Sequence, residues 1–236
     1  MATVPALCWI CGSTADSGEH LLKASDLRGL FGLVSQSHPL YMHSNAARNV
    51  PKRTIKDRAF KSKALLCADC NNAKSQPYDR AWERLSDDLR RRQTLRSGEL
   101  IKLKNVFKRP AKEALLDTHL YFVKLFGCRI VEHQIPINVR PFADAFLARK
   151  AHPYVFIAIG PTPFSAQGKK LAGWSEIHAQ NVGGRCVFAT WFYHVADVAV
   201  NIIYAEPGQN RMGLTQAWHP DSAGRLLRMA RFSRVS

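Results

Sequence analysis

The sequence of 236 residues predicts an α+β protein in two units, and three observations lead there. Four cysteines fall in two C-x-x-C pairs, Cys8–Cys11 and Cys67–Cys70, the spacing with which a small unit staples itself around a metal. Tyr78, Trp82, Leu85 and Leu89 recur at spacings of four, three and four, the period of an amphipathic helix. Residues 154–160, 185–194 and 198–204 have strand character and are set apart by proline and glycine. The expected division is a metal-stapled unit over 1–95 and an α+β unit with antiparallel strands over 96–236.

Taken in order, Cys8–Cys11 followed by Gly12 reads as a tight turn presenting two thiolates. Residues 21–36 mix Leu, Phe and Gly without clean periodicity, and 37–63 read as a basic loop or inserted arm. A short helix is expected to start near Asn71, punctuated by Ser75–Pro77, before the helix carrying Tyr78 to Leu89. The change of character falls around Arg96–Pro110. Leu115–Phe126 reads as a buried helix ended by Gly127. Pro161, Pro163 and Gly168 separate the first two strands, Gly183 and Gly184 mark a turn, and the last two strands are close enough to form a hairpin.

Composition narrows the setting. An apolar share of 46% with 22% charged residues is that of an ordinary globular chain. Membrane association through a span is excluded, because apolar runs fall short of the roughly 18 residues a span needs. Met1–Leu7 lacks a basic start, so the expectation is a cytoplasmic protein rather than a secreted one. In that compartment paired cysteines favour metal over disulfides, and Cys128 and Cys186 are expected as buried small hydrophobes.

The 34 Lys and Arg outnumber the 18 Asp and Glu, giving a net charge of +16. Seven of these cations (Arg48, Lys52, Arg53, Lys56, Arg58, Lys61 and Lys63) lie within one stretch that holds a single acid, Asp57. Arg90 to Lys112 is a second basic run with Glu99 as its one acid, and Arg225, Arg228, Arg231 and Arg234 form a third. One such run suits a solvated face; three together point to a polyanionic partner, nucleic acid first.

Tetrahedral Zn²⁺ takes four ligands, and Cys8, Cys11, Cys67 and Cys70 supply four with none left over. Such a site is closed and therefore structural. Beside it stand Glu19, His20 and Asn71. Neutral histidine is the ordinary base near pH 7, and hard ions such as Mg²⁺ or Mn²⁺ prefer oxygen ligands.

At these residues the chain resembles the HNH endonucleases, the ββα-metal or His-Me finger group, in the form that carries a four-cysteine zinc site. The motifs run Cys8-Trp9-Ile10-Cys11, Glu19-His20, then Cys67-Ala68-Asp69-Cys70-Asn71-Asn72-Ala73-Lys74, and cover roughly a third of the chain. Similar fronts occur in bacterial and phage proteins, some in defence contexts. The resemblance implies a treble-clef-like fold and a metal-dependent endonuclease. His20 would be the general base, Glu19 and Asn71 ligands of a catalytic Mg²⁺ or Mn²⁺, and Lys74 a phosphate contact. Double-stranded DNA is the expected substrate. Two positions depart from the pattern: Glu19 replaces the usual Asp or His, and Ser62 stands where a central Asn is expected, with Asn45 and Asn49 in the arm as substitutes.

The competing reading is a zinc-stapled nucleic-acid-binding or regulatory protein without chemistry. Trp9 and Trp82 offer faces for base stacking, but packing is the expected role for both. His38 and His43 read as surface residues, and Asp79 as a brace for the site. Residues 96–236 are left as a unit for dimerisation, for a protein partner or for recognising a substrate.

Overall fold

The computed structural model describes residues 6–164, 170–209 and 212–233; Met1–Pro5, Gly168 and Arg234 of the readings above lie outside them. In chain order the elements are β1 (Ser17–His20), α1 (Ala24–Phe31), β2 (Leu40–Met42), β3 (Val50–Lys52), β4 (Lys61–Leu66) and α2 (Gln76–Arg91). There follow β5 (Leu100–Lys102), α3 (Leu103–Val106), α4 (Ala111–Glu132) and α5 (Arg140–Ala148). The remaining strands are β6 (Val155–Pro161), β7 (Ala172–Trp174), β8 (His178–Val182), β9 (Arg185–Val195), β10 (Val198–Ala205) and β11 (Leu226–Arg228). The mixed α and β content with antiparallel sheets agrees with the predicted class.

The predicted arm is more ordered than its polarity suggests. Its last residues form β4, where Ser62, Ala64 and Leu66 turn inward while Lys61, Lys63 and Leu65 turn out. β4 pairs antiparallel with β1, Ser17 opposite Leu66 and His20 opposite Lys61, with an irregularity between Gly18 and His20. Earlier in the arm, β2 and β3 make a hairpin. Asp57 starts a short 3-10 turn by accepting a 2.8 Å hydrogen bond from the Ala59 amide. The segment without clean periodicity contains α1, whose Asp26 is fully buried.

α2 is the helix that the spacing of its apolar residues predicts. Tyr78, Trp82, Leu85 and Leu89 are buried along one face, and Pro77 sits in the first turn, where its missing N–H costs nothing. It follows a π-type turn over Asp69–Ala73.

The buried helix differs from its prediction at both ends. α4 runs from Ala111 to Glu132, about 33 Å long, and Gly127 lies inside it rather than ending it. That glycine is a place of close approach. The Trp9 indole rests on it, and an added Cβ would stand 2.3 Å from a ring carbon. α4 is buried nearly all round because α2, β4, α5 and β6 all lie against it.

The large sheet has the strand order β6-β10-β9-β7, with β8 also on β9. β9 and β10 form the predicted hairpin, Val195 opposite Val198. β9 alternates buried and half-buried residues, whereas β10 is buried throughout, as a central strand covered on both faces must be. β5 and β11 pair across most of the later chain, Leu100 opposite Arg228. One apolar cluster runs from Cys8 to Met229, so the core is continuous across residue 95. Cys128 and Cys186 are fully buried within it.

Asp26 knits the halves together, accepting hydrogen bonds from Trp82 Nε1 (3.2 Å), Ser86 Oγ (3.0 Å) and Tyr193 OH (2.8 Å). Three histidines with no common spacing, His119, His152 and His219, meet in the later core. His152 donates its amide to His119 Nε2 at 3.1 Å, and the rings of His119 and His219 lie 5.3 Å apart. Burial pulls His152 down to about 4, so it is neutral at physiological pH. No helix among the described residues is long and apolar enough to cross a membrane.

Candidate functional site

The two cysteine pairs converge. Gly12, with φ +77°, closes the first turn by donating its amide to the Cys8 carbonyl at 2.8 Å. The second pair straddles the start of the π-type turn, and the Asn71 amide donates to the Cys67 carbonyl at 3.0 Å. All four Sγ atoms lie within 4.8 Å of one another. Sulfurs bound tetrahedrally at the Zn–S length of about 2.3 Å stand about 3.8 Å apart, so the set fits one zinc ion. Hydrogen bonds from Ser13 lower the Cys11 thiol to about 6, whereas burial and the neighbouring cysteines push the Cys70 thiol up. All six cysteines are free of disulfides. The knuckle is pinned from behind, where Trp9 Nε1 donates to Cys128 Sγ at 3.4 Å.

His20 ends β1 opposite Lys61. Partial burial, then the charges of Lys61, Lys23, Lys124 and Arg28, lower its pKa and keep the ring neutral near pH 7. Its Nε2 is buried without a hydrogen-bond partner among the described residues. Asn71 faces β1, donating Nδ2–H to Ser17 Oγ at 2.8 Å, and its Oδ1 is likewise buried and unpartnered.

Glu19 is 7% exposed, and the Lys124 ammonium stands 2.7 Å from its Oε2. Burial raises the Glu19 carboxyl against the opposing charge of Lys124. Burial would discharge Lys124, but Glu19 and Asp79 outweigh it and hold the ammonium charged. Asp79 is the brace that was expected: it lies 3.3 Å from Lys23 and 3.5 Å from Lys124, and takes a 2.8 Å hydrogen bond from Ser75 Oγ.

These contacts decide how the donors suit a second ion. Mg²⁺ is commonly held by one or two carboxylates with waters and substrate oxygens, so Glu19 and Asn71 would suffice in number. The charge does not suit it, because the only carboxylate of the set is already neutralised by a buried ammonium. As arranged, the residues do not fit a catalytic Mg²⁺ or Mn²⁺. The four cysteines are the one cluster of three or more Cys, His, Asp or Glu that could hold a metal among the described residues.

The remaining predicted residues are scattered. Lys74 is ion-paired with Asp69 at 2.7 Å. Ser62 is buried and donates to Glu132 Oε2 at 2.9 Å, and Asn45 and Asn49 lie exposed between β2 and β3. Lys52 pairs with Asp57 at 3.4 Å; Arg48, Arg53, Lys56, Arg58 and Lys63 are exposed, and Lys61 is half-exposed. Sequence reasoning missed Lys124 and Lys23. Lys124 did carry a signal: with Asp117 it is one of two charged residues inside the otherwise apolar run Leu115–Phe126, and a charge in a buried helix demands a partner.

Compared with known proteins, the chain matches no family model, no curated protein and no solved structure.

Proposed function

We propose that this protein is an HNH-type endonuclease acting on nucleic acid, DNA in the first instance, with His20 as general base. The observation that supports it best is the state of His20, a neutral ring at a strand end with a buried, unbonded Nε2. The same reading takes β1, β4 and the turn and helix after them as the ββα unit of that group. It takes the four cysteines as a treble-clef-like zinc staple, and residues 1–95 as the nuclease unit. His20 takes a proton from water, the oxygen attacks phosphorus in line, and the P–O3′ bond breaks to leave a 5′-phosphate. The leaving oxygen is protonated from solvent. Phosphates are held by the exposed cations of the arm.

Nicking of supercoiled plasmid, run with and without Mg²⁺ or Mn²⁺, tests this. His20→Ala is expected to lower the rate by about 100- to 10,000-fold, the usual worth of a general base, with zinc content unchanged. Nicking by the variant at the parent rate overturns the assignment. The parallel reactions also test the ion dependence that the HNH resemblance implies.

One observation favours a second reading. A buried Lys124 on Glu19 is what a site without a catalytic ion would carry, and that suits a zinc-stapled binding or regulatory protein. Under that reading plasmid stays intact with either ion, while nucleic acid still binds.

A further inference from the structure

We infer that the chain binds a single strand of nucleic acid in a groove between its two halves, with Trp174 as a stacking platform. This rests on the nucleic-acid reading above and adds the substrate form and a site in the later half of the chain. The groove has a volume of about 850 Å³. Lys56, Arg58, Lys61 and Lys63 line the wall made by the arm and β4, with Leu21 and Leu65 between them. The end of α4 (Arg129, Glu132 and His133), joined to β4 through Ser62 and Glu132, and Trp174 of β7 also line the groove.

The charges of the lining are not equally available. Arg129 is held by Glu132 at 3.0 Å and Lys52 by Asp57. Lys56, Arg58, Lys61 and Lys63 make no ion pair among the described residues, and Glu176 is the one acid of the lining outside an ion pair there. Four cations against one acid suit a polyanion.

The tryptophans divide in the same way. Trp9 is committed to Gly127 and Cys128, and Trp82 to Tyr121, Phe122 and Tyr193. Trp191 lies against Tyr193 and under Arg129, and Trp218 against His119. Trp174 is half-buried with part of its surface packed on the apolar core, lines the groove with the rest, and has no aromatic or cationic ring partner among the described residues.

Cations beside an aromatic face are the pairing that binds single strands, the cations taking the backbone and the ring a base. The half-buried position of the Trp174 indole selects against a duplex. An intact duplex keeps its base faces stacked inside, and it is read by elements that protrude into its grooves. A recessed indole meets a base only when that base is unstacked. Lys61 lies opposite His20 across the strand pair and Leu21 follows His20 in the chain, so a strand in this groove passes the end of β1.

The test is fluorescence anisotropy on the full chain carrying His20→Ala, without added Mg²⁺ or Mn²⁺, using labelled oligo-dT and a duplex of equal length at one salt concentration. The single strand is expected to bind at least tenfold more tightly. Trp174→Leu, which keeps apolar packing but removes the ring, should weaken single-strand binding about 5- to 150-fold and leave duplex binding unchanged. Trp174→Phe should retain most of it. Tighter duplex binding, or a Leu variant equal to its parent, overturns the inference. Should the Leu variant lose zinc or thermal stability, photocrosslinking of a 5-iododeoxyuridine strand to the parent chain decides. An adduct at Trp174 supports the site, and adducts only elsewhere overturn it. Because no cleavage enters the readout, loss of nicking with this binding intact sinks only the nuclease reading, and the converse sinks only the groove.

Discussion

The four-cysteine front and the later sheet solve the problem of holding shape by different means. In β6, β9 and β10 the work is done by Val, Ile, Trp and Tyr, buried in register. The front has short strands and a long polar arm, and relies on four thiolates and on contacts from outside itself. Most of those contacts come from one face of α4. Lys124, Cys128 and Glu132, at successive i, i+4 positions, reach Glu19, Trp9 and Ser62, with Gly127 seating the Trp9 ring. A helix of the later half therefore completes the front's site. The lesson is that the polar centre of this protein is supported by its apolar one.

Breaking the staple should separate the two regions most widely. Cys67→Ser is expected to lose zinc and with it several kcal/mol, since structural zinc contributes folding energy directly. Hydrogen exchange should then show protection lost through residues 8–75 and kept through β6, β9 and β10. Simultaneous loss in both would mean that the halves stand or fall as one unit.

Next in size is the buried ion pair. Lys124→Ala leaves the Glu19 carboxylate buried without its partner and should cost about 3–5 kcal/mol in chemical denaturation. Lys124→Met combined with Glu19→Gln should recover most of that, because both charges go together. A cost for Lys124→Ala below about 1 kcal/mol would mark the pair as effectively solvated, and the front as independent of α4.

The smallest effect falls on the seat of Trp9. Gly127→Ala raises intrinsic helix propensity by about 1 kcal/mol, yet it drives a methyl into the indole and should destabilise by about 1–3 kcal/mol net. Combining it with Trp9→Leu should remove the clash. Stabilisation by Gly127→Ala alone would mean that the knuckle is not seated on α4.

Much of this was legible without coordinates, because it rests on local rules. The two C-x-x-C spacings picked out the four cysteines that converge and could hold one metal ion, since two thiols on one turn is a property of short backbone. The 4-3-4 spacing from Tyr78 to Leu89 gave α2, and apolar strand-forming runs set off by turn residues gave β9 and β10. Local rules misread Gly127 as a helix stop, because a glycine that ends a helix and one that admits an indole look alike in sequence. They passed over β7, which at three residues is too short to show a period. Only the tertiary structure decided that Lys124 neutralises Glu19, that Ser62 serves Glu132, and that His119, His152 and His219 share one core. It also decided that Trp174 faces the basic arm. Each of these joins residues far apart in the chain, and the burial that turns such a contact into energy exists only once the halves have packed.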